Sequence, residues 1–343
     1  MMADRIDHLN TTLTAFVEKR LISAIAYGIY HTSESPLMGS IGVIRWGSAT
    51  PVSMETLFDV ASLTKILCTL PAIMQLVDTG AIDLRTSIGT YLSYLPNTIK
   101  NPTVEQLLCH RGGLPAFITE EQLTQDQPLN REGILSILER CLVNPPGYST
   151  QYSDIGYMLL GWLVEEVSRT RLDQYAKEHI FSPLGMNHTL FNPLNTENVA
   201  ATRFCDMRQK ILQGETQNIV SWSLGGVAGH AGLFSTVPDV LRYGITVMEN
   251  PELIFSRQRL NQTLVDHGDG RGLGWMLAQT LPNVKNEWPQ DSFGHTGYTG
   301  TSIVIMPSNE LVLVLLSNRT HPNMVNPAIQ ALRQEFHDFV LMK

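Results

Sequence analysis

The chain has 343 residues, 43% hydrophobic and 16% charged, with a formal net charge of −8. That length can bury a large core and accommodate two structural lobes. The charges are spread without acidic or basic blocks, which excludes a nucleic-acid binder, because phosphates demand clustered lysine and arginine. No apolar run approaches the length of a membrane span.

The first segment places Ile6, Leu9, Leu13, Phe16 and Val17 on one helical face. It has no unbroken apolar h-region and no small-residue cleavage site, so the chain as it stands is expected to be cytoplasmic, or periplasmic if a leader has been removed. "SAIAYGIYHTSE" and "MGSIGVIRWG" are rich in β-branched and aromatic residues and read as a hairpin. Ile66, Leu67, Leu70, Ile73, Met74 and Val77 then keep a helical period until Gly80 stops it. From 81 to about 215 helices and loops dominate, with few credible strands. Strands return at Thr301 to Met306 and Leu311 to Ser317, flanking a turn at Pro307-Ser308-Asn309, and a final helix runs from Pro327 to Met342. Strands at both ends with helices between them predict a sheet lobe built from 1–80 and 216–343, a mainly helical lobe from 81–215, and a binding cleft between them. Cys68, Cys109, Cys141 and Cys205 show no C-x-x-C pair or zinc-finger spacing and read as buried free thiols.

Chemistry concentrates first at "LFDVASLTKILCTLPAIMQLVDTG", where Ser62 and Lys65 stand three apart at the opening of an apolar helix. They share one helical face, so the amine can reach the hydroxyl. A charge in such surroundings is costly unless paired. Desolvation lowers a lysine's pKa, which would make Lys65 a general base beside a serine nucleophile. The helix start also offers the Ser62 N–H as half of an oxyanion hole. Taken alone, an N-cap followed by a snorkelling lysine is the better explanation of the pair.

Two further elements come later in the chain: Tyr152-Ser153-Asp154 in "GYSTQYSDIGYMLLGWLVEE", and His295-Thr296-Gly297 in "FGHTGYTGTSIVIMP". With these the chain resembles the serine β-lactamases, penicillin-binding proteins and related esterases, closest to the class C branch. The resemblance runs from "TLFDVASLTK" through "LLCHRGGLP", "FSPLGMNHT" and "GGVAGHAGLFST" to the last strands. It implies an α+β, β-lactamase/transpeptidase-like fold: an antiparallel sheet flanked by terminal helices, with an inserted all-helical lobe. It also implies Ser62 as the acylated nucleophile, Lys65 as its proton partner, and Tyr152 as the relay to the leaving group. The second oxyanion donor would be the Tyr298 N–H, and Asp154, His295, Thr296 and Gly297 would contact substrate. Gly297 and Gly300 would let substrate approach the strand edge closely.

Two residues depart from that pattern. Asp154 stands where the family usually has asparagine, and an ionised carboxylate can only accept where the amide would donate; as the first residue of "DIGYMLLGWLVEEV" it is also a good N-cap. His295 replaces a lysine and is a weaker, pH-dependent cation. His230 reads as a turn stabiliser that could line the cleft. His110, His179 and His188 lack metal-ligand spacing, and no phosphate loop is present, so neither metal nor cofactor is expected. The expected function is a serine hydrolase acting through an acyl-enzyme on a small-molecule ester or small amide. The rivals are a D-alanyl-D-alanine carboxypeptidase or β-lactamase, and a catalytically idle binding protein that keeps the fold. The sequence is silent on oligomeric state.

Overall fold

In the computed structural model, residues 2–124, 129–141, 143–282, 288–323 and 326–341 are described. The strands in chain order are β1 (Ala24–His31), β2 (Leu37–Gly42), β3 (Phe58–Asp59), β4 (Leu190–Phe191), β5 (Phe204–Cys205), β6 (Lys210–Ile211), β7 (Leu233–Ser235), β8 (Met276–Leu277), β9 (Phe293–Thr296), β10 (Ser302–Met306) and β11 (Leu311–Ser317). One antiparallel sheet has the order β2-β1-β11-β10-β9-β8, so the first hairpin is closed by the last strand. Ile25 faces Ser317 across that junction, and Ile303 faces Val314 in the next.

Every residue of β11 is buried, because helices cover both faces of the sheet. Strand residues alternate between faces. Leu313 and Leu315 therefore share a core with Val304, with Leu9 and Leu13 of the first helix, and with Leu332 and Phe336 of the last. Val312, Val314 and Leu316 join Ile303, Val240 and Leu241, the last two from the helix Val237–Glu249. The hairpin and the two late strands thus stand where the pattern placed them. His295 and Thr296 end a separate strand, β9, which precedes β10. The last helix is described over Ala328–Leu341, and Met342 lies outside the described residues, as do 125–128 of the loop from Thr119 to Arg131.

A small second sheet, β3-β7-β4, leads into the Ser62 segment. That segment is composite rather than one regular helix: a 3₁₀ turn at Ala61–Leu63, a π turn at Lys65–Thr69 and an α-helix at Leu70–Asp78. By length and composition Ala61–Asp78 could cross a membrane, with mean hydropathy 1.2 over 18 residues, contrary to the expectation that no run comes close. Here 83% of that stretch is buried inside the protein, as the central helix of a packed core.

The π turn has an identifiable cause. The Leu70 amide donates to the Lys65 carbonyl, five residues back, and Pro71 has no amide to offer the next carbonyl, Ile66. That buried carbonyl is satisfied instead by the Tyr243 hydroxyl at 2.5 Å, from the helix Val237–Glu249. Tyr243→Phe should therefore strand a buried acceptor and cost about 1–3 kcal/mol, measurable by urea unfolding. An unchanged midpoint and slope would show that the turn does not depend on this bond.

Candidate active site

The turn holding Ser62 begins at Ala61, whose φ of +47° lies in the left-handed region that residues other than glycine rarely adopt. One 3₁₀ turn on, Lys65 is fully buried. Its Nζ donates to Ser62 Oγ at 3.1 Å, to Asp154 Oδ1 at 2.7 Å and to the His230 carbonyl at 3.0 Å. These three acceptors engage all three hydrogens of an ammonium group. Burial pushes the Lys65 pKa down, but the Asp154 carboxylate and the neighbouring Tyr152 hydroxyl outweigh it and hold the amine above the usual lysine value. The expectation of a neutral lysine base fails for that reason: a paired buried amine keeps its proton. Burial likewise pushes Asp154 up, and the Lys65 ammonium, followed by His230, overcomes it and holds the carboxyl below its usual range.

Asp154 opens the helix Asp154–Ser168, but the N-cap is Ser153, whose Oγ accepts the Gly156 amide at 3.2 Å. The Asp154 side chain is therefore free of capping and turns to Lys65. Tyr152 lies just before this helix, its ring on that of His110 with centroids 4.3 Å apart. Lys65 Nζ stands 5.0 Å and the Arg271 guanidinium 5.7 Å from the Tyr152 centroid. His295 packs 6.1 Å from the same ring.

His295 is buried, and its Nδ1–H donates to the Thr296 carbonyl at 2.8 Å. Burial, then the charges of Lys65 and Arg271, push its pKa down to about 3. It is a neutral imidazole at physiological pH and does not replace the family lysine's charge. A side chain at Gly297 would meet the Val60 carbonyl at 2.5 Å, and one at Gly300 would meet Ser317 Oγ at 2.2 Å. A side chain at either position would therefore displace the packing of β9 and its following loop.

A cleft of about 600 Å³ opens over Ser62, Tyr152, Asp154 and Tyr298, while His295, Thr296 and Gly297 are not among the residues that line it. Its walls are mostly apolar, with Phe117, Ile118, Ile155, Met158, Ile219 and Val220. The Tyr298 amide has no acceptor among the described residues. The Ser62 amide stands in a first helical turn, where an amide has no intrahelical partner. Two residues that sequence reasoning passed over complete the site. Asn218 Oδ1 accepts the Ser221 amide at 2.9 Å and the His230 Nε2–H at 3.0 Å. Asp59, beneath the Ser62 turn, is buried and accepts two backbone amides. The glycine-rich "GGVAGHAGLFS" marked a turn at His230, but nothing in it announced that the backbone carbonyl of His230 would accept from Lys65.

The family model for beta-lactamase matches residues 9–337. The chain belongs to the beta-lactamase family. Over 315 residues it is 33% identical to a protein of Escherichia coli (strain K12) provisionally named a D-alanyl-D-alanine carboxypeptidase, covering 79% of this chain and 71% of that one. An octameric penicillin-binding protein homologue from Pyrococcus abyssi superposes with a TM-score of 0.79 at 23% identity, covering 98% of this chain and 78% of that one. EstCE1, a hydrolase with promiscuous acyltransferase activity, does so with a TM-score of 0.78 at 19% identity, covering 99% and 100%. The fold is of the β-lactamase/transpeptidase type and the protein is a serine hydrolase, so the idle-scaffold alternative falls.

The charge states have two measurable consequences. A carboxylate whose pKa is lowered by folding stabilises the native state above its unfolded pKa of about 3.9 and loses that effect as pH falls further. Asp154→Asn should thus cost on the order of 3 kcal/mol at neutral pH by unpairing a buried ammonium, with the deficit shrinking as pH falls through Asp154's lowered pKa, as urea titrations at neutral and strongly acid pH would show. Because His295 is already neutral, KM for a carboxylated ester should show no imidazole titration between about pH 5.5 and 9. A KM that climbs through about pH 6.5 would mean that His295 is charged in solution.

Proposed function

We propose that the protein cleaves esters bearing an apolar acyl group through an acyl-enzyme on Ser62. The observation that carries this reading is the 2.7 Å ion pair between Lys65 and Asp154. It commits an acceptor-only carboxylate, already engaged by the lysine, to the position from which an amide donor would grip a β-lactam or peptide carbonyl. An ester needs no such donor. The apolar cleft walls support the same choice.

In this mechanism the carbonyl oxygen of the ester lies between the Ser62 and Tyr298 amides, which stabilise the oxyanion as Ser62 Oγ attacks. With all three of its hydrogens engaged, Lys65 stays an ammonium and stabilises negative charge as it develops on Ser62 Oγ. Tyr152, on the same cleft, takes the serine's proton as it delivers its own hydroxyl proton to the leaving-group oxygen. The serine's proton thus leaves with the alcohol, and neither Lys65 nor Tyr152 ends the step with a changed charge. Water then enters by the reverse route and releases the acid.

The name of the Escherichia coli relative favours a second reading, a carboxypeptidase acting on D-alanyl-D-alanine. One panel separates the two. Short-chain p-nitrophenyl esters should be turned over far faster than penicillins, cephalosporins or D-alanyl-D-alanine peptides, and Asp154→Asn should improve acylation by β-lactams. Faster cleavage of a cephalosporin than of p-nitrophenyl acetate by the wild type would reject the ester reading. A fluorophosphonate should label the wild type and not Ser62→Ala, and Tyr152→Phe should slow the chemical step by about a hundredfold or more.

A further inference from the structure

We infer that Asp59 is a positioning residue for acylation, whose carboxylate ties the Ser62 turn to the segment that holds the third acceptor of Lys65. Asp59 ends β3 and is buried. Its Oδ1 accepts the Ala61 amide at 2.9 Å, and its Oδ2 accepts the Gln217 amide, also at 2.9 Å. The first bond holds the amide of Ala61, the residue with positive φ that immediately precedes Ser62. The second fixes the residue before Asn218, whose Oδ1 holds His230, whose carbonyl in turn accepts from Lys65. The backbone beneath is pinned independently, since Thr299 Oγ1 donates to the Asp59 carbonyl at 2.7 Å and Thr301 Oγ1 to the Val60 carbonyl at 3.1 Å. The carboxylate is thus the link that joins nucleophile and lysine scaffold through two opposed amides.

The two amides sit on opposite oxygens of the carboxylate, so both oxygens must accept. Asparagine supplies one and turns its NH₂ toward an N–H, so Asp59→Asn is isosteric yet breaks one tie. Protonating Asp59 does the same. Burial pushes its pKa up to about 6, against the lowering effects of the Gln217 and Ala61 amides and the charge of Arg208. Glu120, Asp154, Arg203 and His230 line the same cleft, but they are unchanged between wild type and variant, so their effects cancel in a ratio of rates.

The inference rests on Ser62 being the acylated residue. The test is the ratio of acylation rate constants, wild type over Asp59→Asn, measured by rapid mixing with a p-nitrophenyl ester from about pH 5 to 8. The ratio should be close to one at the acid end and rise through Asp59's pKa to about tenfold or more, with KM changed less than about twofold. A ratio that is constant with pH, whatever its size, overturns the inference, because a merely structural loss would not titrate. Should the variant fail to fold, the wild type alone suffices: the Ala61 amide resonance of [¹⁵N]alanine-labelled protein, assigned with Ala61→Gly, should move across the same pH range. A stationary resonance overturns the tie. Fluorophosphonate labelling of Ser62→Ala would instead overturn the nucleophile assignment and this inference with it, so the two failures are distinguishable.

Discussion

Lys65 carries a full charge into the protein interior, and the three acceptors that make this tolerable come from its own helix, from the start of the helix Asp154–Ser168 and from the loop at His230. Few sites demand as much of a fold. Removing any acceptor leaves a buried N–H of a charged group unanswered, which costs more than a neutral hydrogen bond of the same length. The helices, the small sheet and the glycine-rich turn are therefore constrained together by one nitrogen atom.

The elements that could be read in the sequence were those whose pattern is local. Alternation and β-branching marked β1, β2, β10 and β11, and a helical period marked the segment after Ser62. The irregularity inside that segment arises from the combination of Pro71 with Tyr243, a residue more than 170 positions away, and no window of sequence contains both. The same holds for the site. Spacing put Lys65 beside Ser62, but the sign of its pKa shift depended on Asp154, 89 residues on, and a pairing partner reverses what burial alone would do. His295 is the opposite case: the Thr296 carbonyl and Asp154 oppose burial too weakly, so the shift goes the way of desolvation and its charge is lost.

Asp154 shows how one atom's difference from asparagine can change the character of a site while leaving its outline intact. A carboxylate there strengthens the hold on the lysine and removes a donor from the cleft. The same exchange fixes the protonation state from which any relay through Tyr152 must begin.

The Gly229 carbonyl accepts the Thr69 hydroxyl at 2.6 Å, and a Cβ at Gly161 would stand 2.8 Å from the Gly229 amide. At that contact the helix Asp154–Ser168 and the loop preceding His230 meet backbone to backbone, with no side chain between them to be traded for a larger or smaller one. The floor of the site is consequently closed to gradual variation. The far wall is open to it, since Phe117 lines the cleft and is 61% exposed. An engineer seeking new acyl preferences would leave the floor alone and mutate the rim at Phe117, where volume can change without disturbing the charges beneath.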